Sequence, residues 1–520
     1  MKNVVKLVML FGTIVSLVGC KTNGSSNNQV SSSIDSFIAS ENSQEISNEE
    51  STFVSEEISS EDPNIVTLNV LSMNDVHGAL IETHASAGLI KGASYIEKVR
   101  SDNQEGTILL SAGDMYQGTA VSNLEYGNTM IKCMNELQFD AMAIGNHEFD
   151  WGEDIIKNHH DGNLENGEAE YPYVACNIYY SNGTSDETDD TKVPWTQDYI
   201  VIERKNVKIG IVGWISYSCK DDIAEPIMKD FSFHKPILEV KEAARKARQE
   251  DNCDIVIALG HEGNDLNTAL TKLDGDSKID FIINGHSHSY YTNKEGIPSV
   301  QSGSSLQYIA NTTIKFDIQE RKVVEVSPYQ EKITSEMEEN STIKEILDIE
   351  LKDYQYLFEP ITTAKKDLSK TKVGQWIADC VRKSTGSDVG IVNSGGVRDA
   401  AFPIEEGNEI NEDRMWMLMP FDNEINTCYL YGVQVESLSS NRDGFIFDFD
   451  YRNTVFEAEK LYKVAACDYV FNKTIYPFLQ GQEVTETKLL VRDMLIKDLK
   501  EWGKAAVEWD ASTSLLTSQI

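Results

Sequence analysis

Basic residues are scarce in this 520-residue sequence, which has 46 Lys and Arg against 84 Asp and Glu. The resulting formal charge of −38 argues against a nucleic-acid partner, because a phosphate backbone attracts Lys and Arg. The simplest interpretation of this charge is a solvated acidic surface that keeps the protein soluble. An anionic substrate would then need local positive charge at its site, from metal ions or an arginine.

Cysteine is also rare, with eight residues and no CxxC pair. The seven that follow residue 20 are widely spaced and odd in number, at 133, 176, 219, 253, 380, 428 and 467. Neither a disulfide scaffold nor a cysteine zinc site is indicated by this spacing. We expect most of these cysteines to be buried as small apolar residues.

The N-terminus has the pattern of a targeting segment. Lys2 and Lys6 precede an apolar stretch over residues 7–19, which is too short to span a bilayer as a helix. The stretch ends in L-V-G-C at Cys20 and resembles the bacterial lipobox, in which the cysteine is lipidated and becomes the new N-terminus. The sequence therefore predicts a lipoprotein signal peptide over 1–20 and an extracytoplasmic protein anchored to the bacterial membrane. The alternative is an ordinary signal peptide with an incidental cysteine.

Residues 21–63 are rich in Ser, Asn, Glu and Gln, with scattered Ile, Val and Phe. Such a segment buries too little apolar area to offset its ordering entropy, so we predict a disordered tether. A tether between a lipid anchor and a folded domain is consistent with the predicted lipidation.

From residue 65 onward, short apolar runs rich in β-branched residues alternate with helical patterns, which indicates an α/β fold. Helical patterns cover 90–100 and 236–249. Five apolar runs lead directly into ligand-type residues, at 67–73, 107–112, 141–144, 255–259 and 281–283. In α/β folds, ligands gather beyond the carboxyl ends of the strands.

Asp, Asn and His follow those five runs, and five of the nine histidines lie there. Any one of them alone is more typical of a turn or a cap. Carboxylate, amide and imidazole groups together suit divalent ions such as Zn²⁺ or Mn²⁺. Two ions about 3.5–4 Å apart can clamp a phosphoryl group, activate a water and stabilise the departing oxygen.

The order D-x-H, G-D, G-N-H-E, G-H, G-H-x-H resembles that of the calcineurin-like metallophosphoesterases. This resemblance implies a four-layer αββα sandwich and two ions, with Zn, Mn and Co as candidates. It implies that one ion is held by Asp75, His77 and His288, that the other is held by Asn146, His261 and His286, and that Asp114 bridges them. It further implies that His147 stabilises charge on the transition state or the leaving group, with Asp150 orienting the histidine.

Three further stretches resemble the bacterial 5′-nucleotidase and UDP-sugar hydrolase family: G-N-H-E-F-D at 145–150, N-S-G-G-V-R at 393–398 and P-F-D-N at 420–423. The resemblance implies a phosphoesterase domain over 64–335 and a smaller α/β C-terminal domain over 361–520 that binds substrate. Apolar residues at 343, 347, 351, 354 and 358 have helical spacing and predict a linker helix within 336–360. The implied substrate-binding residues are Asn393, Gly395, Gly396, Arg398, Phe421, Asn423 and Tyr469. A plain turn at the two glycines and a core role for Phe421 are the alternatives.

Two departures from the family pattern concern the nucleoside pocket. The family has an arginine in the region that corresponds to residues 369–374, and this sequence has none there. The basic residues that could replace it are Lys366 and Lys370. Residues 467–474 lack the glycines and the ribose-binding aspartate usual in the family. The resemblance still favours hydrolysis of nucleoside 5′-monophosphates. The alternatives are a UDP-sugar pyrophosphatase, a 2′,3′-cyclic nucleotide phosphodiesterase, or a surface binding protein without turnover.

Overall fold

The computed structural model describes residues 62–164, 167–184, 190–441 and 444–520. The predicted signal peptide, Cys20 and nearly all of the predicted tether lie outside these residues. Residues 61–520 form one compact unit. No helix within the described ranges is both long enough and apolar enough to cross a membrane.

The first part of the fold contains fifteen strands in the described residues, which build two six-stranded sheets and a small three-stranded one. These strands are β1 (Ile65–Met73), β2 (Thr107–Ser111), β3 (Ala141–Ala143), β4 (Tyr173–Val174), β5 (Ile178–Tyr180), β6 (Thr191–Lys192), β7 (Tyr199–Arg204), β8 (Val207–Ile215), β9 (Phe231–Phe233), β10 (Ile255–His261), β11 (Phe281–Ile283), β12 (Tyr290–Asn293), β13 (Ser299–Ser302), β14 (Tyr308–Asp317) and β15 (Lys322–Lys332).

The two large sheets have the orders β15-β14-β1-β2-β3-β4 and β12-β13-β11-β10-β8-β7. The strands β1 to β4 are mutually parallel, as are β8, β10, β11 and β13, while the remaining strands of each sheet pair in antiparallel fashion. All seven residues of β10 are buried. Parallel strands that are covered on both faces need apolar side chains on both, which explains their continuous apolar sequences. The carboxyl ends of β1, β2, β3, β10 and β11 carry the five predicted motifs.

The two sheets pack face to face, with helices on the outer faces. Leu68 and Val70 of β1 pack in one cluster with Ile209 of β8, between the sheets. Their neighbour Leu71 points the other way, because side chains alternate along a strand, and packs with Ile96 of a covering helix. The predicted four-layer sandwich is therefore confirmed.

The helices of this part are α1 (Leu89–Asp102), α2 (Ala120–Asn123), α3 (Asn128–Glu136), α4 (Glu153–Asn158), α5 (Glu225–Met228), α6 (Pro236–Gln249), α7 (Asn267–Leu270) and α8 (Ser341–Glu350). The predicted linker helix is shorter than its apolar spacing indicated. It ends at Glu350, and a 3₁₀ segment over Lys352–Phe358 follows. Ile343 and Leu347 are buried in the core with α1 and α3, so the linker packs against the first part.

The remaining chain builds a five-stranded sheet of order β20-β17-β21-β19-β22 with its own apolar core, and a pair β16-β18. Its strands are β16 (Thr362–Thr363), β17 (Val389–Asn393), β18 (Glu409–Ile410), β19 (Glu424–Tyr431), β20 (Phe445–Phe447), β21 (Leu461–Cys467) and β22 (Gln482–Leu490). Its helices are α9 (Lys370–Thr385), α10 (Glu412–Leu418), α11 (Gly432–Ser437), α12 (Asp468–Phe471) and α13 (Val491–Lys504). The domain boundaries given above remain a prediction.

Candidate active site

The side chains of the first predicted ligand group, Asp75, His77 and His288, come together between the loops that follow β1 and β11. His77 Nε2 lies 3.1 Å from His288 Nε2, and His288 Nε2 lies 3.4 Å from Asp75 Oδ1. The Gln117 carbonyl accepts a hydrogen bond from His77 Nδ1 at 3.0 Å, so Nε2 keeps its lone pair. Lone pairs and a carboxylate that converge in this way fit one divalent cation.

The second group meets around the Asn146 amide oxygen, which lies 3.1 Å from His261 Nε2 and 3.0 Å from His286 Nδ1. Asp114 Oδ2 lies 3.2 Å from His261 Nε2. Ligand atoms of Asp75, Asp114 and His261 lie within 4.8 Å of one another, which places Asp114 between the two groups. A carboxylate that bridges two metal ions has to lie between their two ligand groups, as Asp114 does.

Five of the seven predicted ligands have a left-handed backbone conformation, with φ between 49° and 66°. They are Asp75, His77, Asp114, His286 and His288. Non-glycine residues rarely adopt this conformation, and it concentrates where function imposes it. In each case a residue just past a strand end turns sharply, which brings its side chain toward the common centre.

The electrostatics of the ligands suit a cation. Burial and the nearby Arg398 hold the pKa of His77 well below its ordinary value, so the ring is neutral, as a metal ligand must be. Burial opposes a charge on His261, but Asp114 outweighs that effect and raises the pKa of His261 to about 10. Burial likewise opposes the charge of Asp114, but His261 and His147 hold its pKa well below the usual range. In the absence of an ion, a proton on His261 compensates the Asp114 carboxylate.

These seven side chains offer carboxylate oxygen, amide oxygen and imidazole nitrogen, the donor set expected for two divalent ions. When bound, the ions supply Lewis-acid stabilisation of phosphoryl charge and an activated water. The assignment of individual ligands to each ion remains a prediction, which the two side-chain groups support.

His147 and Asp150 form the predicted pair beside the ligands. Asp150 Oδ2 accepts a hydrogen bond from His147 Nδ1 at 2.8 Å, and the His147 amide donates to Asp114 Oδ1 at 2.9 Å. Burial opposes a charge on the ring, but Asp150 and Asp114 outweigh it and raise the pKa of His147. The ring can therefore carry a proton to the position where charge develops on a leaving oxygen.

Glu148 has a role that motif reading did not assign. Its Oε2 accepts hydrogen bonds from the amides of Asp114 at 3.0 Å and Gly145 at 2.8 Å, and its Oε1 accepts one from Met115 at 3.0 Å. Burial and the charge of Asp114 raise the pKa of Glu148 to about 7. This carboxylate ties the β2 loop to the β3 loop, so it positions Asp114 and Asn146. In the sequence, the feature that could have indicated this role is the position of Glu148 as the fourth residue of G-N-H-E.

Two further residues near the second group lie outside every motif. Asp222 Oδ2 lies 3.5 Å from His286 Nε2, on the side of the ring away from Asn146. The buried Cys219 thiol lies 3.7 Å from His286 Nδ1 and 3.8 Å from Asn146 Oδ1. All seven described cysteines are free and buried, as predicted, but the position of Cys219 gave no sequence signal.

A cavity of about 480 Å³ joins the ligands to the C-terminal sheet. Its wall includes Asp114, Asn146, His147, Asp150, His286 and His288 from the first part of the fold. All seven predicted substrate-binding residues also line it, namely Asn393, Gly395, Gly396, Arg398, Phe421, Asn423 and Tyr469. The structure thus brings both predicted sets to one space.

Arg398 and Phe421 lie next to the predicted pair His147 and Asp150. The Phe421 ring stacks on His147 with centroids 5.6 Å apart and an interplanar angle of 27°, and the Arg398 guanidinium lies 5.6 Å from the Phe421 centroid. Phe421 is half-buried and lines the cavity, and its stacking on a substrate base remains a prediction.

The altered stretch 467–474 contributes an aspartate to the cavity wall. Asp468 lines the cavity beside Tyr469 and accepts a hydrogen bond from Asn423 Nδ2 at 2.9 Å. Asn423 is therefore engaged within the protein rather than directed wholly at substrate. Lys370 pairs with Asp399 at 2.9 Å and lines a different cavity, so it does not replace the family arginine in this pocket.

Comparisons with known proteins agree with this arrangement. A model of the calcineurin-like phosphoesterase family matches residues 68–290, and a model of the 5′-nucleotidase C-terminal domain matches residues 350–440. An apyrase of Tabanus yao is 29% identical over 417 residues, covering 70% of this chain and 71% of the apyrase. A 5′-nucleotidase of Vibrio cholerae is 23% identical over 427 residues, covering 71% of this chain and 74% of that protein.

The crystal structure of a 5′-nucleotidase precursor from Thermus thermophilus superposes with a TM-score of 0.67 at 20% identity, covering 84% of this chain and 97% of that one. This likeness supports the fold, while the sequence matches and the ligand groups support the chemistry. The chain therefore belongs to the 5′-nucleotidase family and is a hydrolase of phosphoric esters that uses two divalent metal ions.

Proposed function

We propose that the protein hydrolyses nucleoside 5′-monophosphates to nucleoside and phosphate. The observation that carries this proposal is the shared cavity, where Asp114 and Asn146 face Phe421 and Tyr469. Its volume of about 480 Å³ falls in the range of pockets that enclose a small ligand. An aromatic ring opposite a metal-ligand group suits a flat base at one end and a phosphate at the other.

The chain's own residues account for binding and proton transfer. Arg398 offers a planar fork that pairs with two phosphate oxygens at once. His147, held by Asp150, lies where it can donate its proton to the departing ester oxygen. The backbone at Gly395 and Gly396 lacks side chains that would keep an anion at a distance. Together these groups offset the strongly acidic surface locally.

The relatives support a nucleotide as substrate, since those cited above are named as an apyrase and a 5′-nucleotidase. The test is phosphate release from a panel of esters by protein lacking residues 1–61 and loaded with Zn²⁺, Mn²⁺ or Co²⁺. The panel contains nucleoside 5′-monophosphates, a UDP-sugar, a 2′,3′-cyclic nucleotide and an aryl phosphate. We expect the 5′-monophosphates to be hydrolysed with the highest kcat/KM.

Asp114→Asn should abolish this activity, whereas Asp348→Asn, on the exposed face of α8, should not change it. Activity confined to the aryl phosphate would reject the nucleotide assignment. Nucleotide binding without hydrolysis under any metal would indicate a surface binding protein.

A second cavity favours UDP-sugar hydrolysis as the alternative. This cavity of about 500 Å³ is lined by His77, His288 and Arg398, and also by Ser304 and Lys370. It therefore adjoins the same ligands as the first cavity, and could hold a group attached beyond the phosphate. A kcat/KM for a UDP-sugar above that for every monophosphate would favour this function.

We also propose that the protein is lipid-anchored at the outer face of the bacterial membrane. The L-V-G-C sequence ending at Cys20 and the polar segment 21–63 support this location. Incorporation of a labelled fatty acid into the full chain, and its loss in Cys20→Ala, is the expected result. A labelled Cys20→Ala variant, or an unlabelled full chain, would contradict the anchor.

A further inference from the structure

Cys219 lies in contact with the second ligand group. It belongs to the 3₁₀ turn Tyr217–Asp221, directly after β8, and its side chain is fully buried. Its Sγ is 3.7 Å from His286 Nδ1 and 3.8 Å from Asn146 Oδ1. The ligand atoms of Cys219, His261 and His286 lie within 4.8 Å of one another.

These separations match the edges of a coordination shell. With a Zn–S bond of about 2.3 Å and a Zn–N bond of about 2.1 Å, sulfur and nitrogen lie about 3.1 Å apart at a right angle and about 3.8 Å apart at 120°. The Asn146 contacts of 3.0 and 3.1 Å with His286 and His261 have the length expected between ligands at nearly right angles. Cys219 thus completes a cluster in which nitrogen, oxygen and sulfur face one point.

We propose that the Cys219 thiolate is a sulfur ligand of the ion held by Asn146, His261 and His286, and that it makes this position selective for Zn²⁺ over Mn²⁺. This proposal rests on the two-ion centre of the proposed function, and it does not depend on the nucleotide substrate. The resemblance to the phosphoesterases assigns only oxygen and nitrogen ligands here, so the sulfur is a feature of this chain's own sequence.

The step is a proton exchange, in which a divalent ion and the Cys219 thiol give an ion–sulfur bond and one proton that leaves to solvent. Thiolates prefer Zn²⁺, Co²⁺ and Cd²⁺, whereas carboxylates and water suit Mn²⁺. A sulfur ligand on one ion only would also make the two ion positions different in selectivity.

Cobalt gives a direct readout, because a thiolate bound to Co²⁺ has a charge-transfer absorption in the near ultraviolet that oxygen and nitrogen ligands lack. We would titrate ion-free protein with Co²⁺ and record this band together with the number of ions bound. The wild type should bind two Co²⁺ and show the band. Cys219→Ser should bind Co²⁺ without the band. The Zn²⁺ affinity of one position should fall by about tenfold or more, with little change for Mn²⁺.

Cys253→Ala is the matched control. This buried cysteine lies beside Gly210 near the start of β8, at the end of the sheet away from the ligands, so the band should persist. Absence of the charge-transfer band in the wild-type protein, whether or not cobalt binds, would overturn the proposal. This result does not require that Cys219→Ser folds. A band that persists in Cys219→Ser would overturn it as well. Because none of these readouts uses a substrate, they separate this proposal from the nucleotide assignment.

Discussion

Arg398 Nη2 donates a hydrogen bond to His77 Nε2 across 3.3 Å, which links the C-terminal sheet to the first ligand group. His77 Nε2 has one lone pair and cannot serve both the guanidinium and a metal ion. Ion binding to His77 therefore frees Arg398 to pair with a phosphate in the cavity. The same contact shows that Arg398 and the predicted ligands are close enough to act on one substrate.

Replacement of Arg398 by lysine tests this pairing. A lysine retains the charge but loses the planar fork, so we expect kcat/KM for phosphate esters to fall by about tenfold to a hundredfold, as for a lost charge-assisted hydrogen bond. Steady-state phosphate release measures the change. Arg452→Lys, at an exposed position of the same sheet region, should leave kcat/KM unchanged. An equal loss in both variants would mean that Arg398 has no specific role.

Glu148→Gln tests the carboxylate that ties the two ligand loops together. The amide presents only one acceptor oxygen to the amides of Asp114, Met115 and Gly145, and its NH₂ group opposes the remaining donors. We expect a loss of about 1–3 kcal/mol in the free energy of unfolding. We also expect metal affinity to fall about tenfold to a hundredfold, because Asp114 and Asn146 lose their common anchor.

Denaturant unfolding and competition with a chelator measure these two effects. Glu97→Gln, at an exposed position of α1, is the control and should change neither. Wild-type metal affinity in Glu148→Gln would contradict the anchoring role.

Arg492 provides the support for the loop that presents Phe421. It is buried, donates to the carbonyls of Pro420 and Phe421 at 3.1 Å, and lies 3.4 Å above the Trp416 ring. Arg492→Met removes these donors, and we expect KM for nucleotides to rise several-fold while KM for an aryl phosphate changes less. The free energy of unfolding should fall by about 1–3 kcal/mol. An equal rise of KM for both substrates would contradict a role specific to the base.

Metal loading should release protons. Because Asp114 raises the pKa of His261 to about 10, the ion-free ring is protonated at pH 7 and must lose that proton to bind through Nε2. The metal affinity of this position should therefore rise with pH up to about 10, by about tenfold per unit for each proton displaced. Calorimetry in buffers of different ionisation enthalpy counts the protons. No proton release at pH 7 would contradict the Asp114–His261 pairing.

The positions of the predicted ligands follow from the sequence, because each lies at or shortly after the end of an apolar strand. Asp75 and Asp114 therefore lie at the carboxyl ends of strands in one sheet, and His261 lies at the carboxyl end of a strand in the other. The helix α6 was predicted to the residue, since Pro236 can begin a helix and periodic apolar residues follow it. The linker helix was predicted too long, because the chain tightens to a 3₁₀ segment after Glu350 while its apolar residues keep helical spacing.

Residues that act through tertiary contacts could not be predicted. Cys219 and Asp222 approach His286 only because β8 and β11 lie in one sheet, and no local spacing encodes that proximity. Asp468 likewise reaches the cavity because it follows β21, next to β17 in the sheet.

In the proposed function, one composite site holds the phosphate at the ligands and the base at Phe421. The most direct measurement is kcat/KM for a nucleoside 5′-monophosphate relative to an aryl phosphate, in wild type, Phe421→Ala and Asp114→Asn. We predict that Phe421→Ala lowers this ratio about tenfold or more while hydrolysis of the aryl phosphate persists, because a stacked ring contributes about 1–3 kcal/mol. Asp114→Asn should lose both activities. An unchanged ratio in Phe421→Ala, or full activity in Asp114→Asn, would contradict the account.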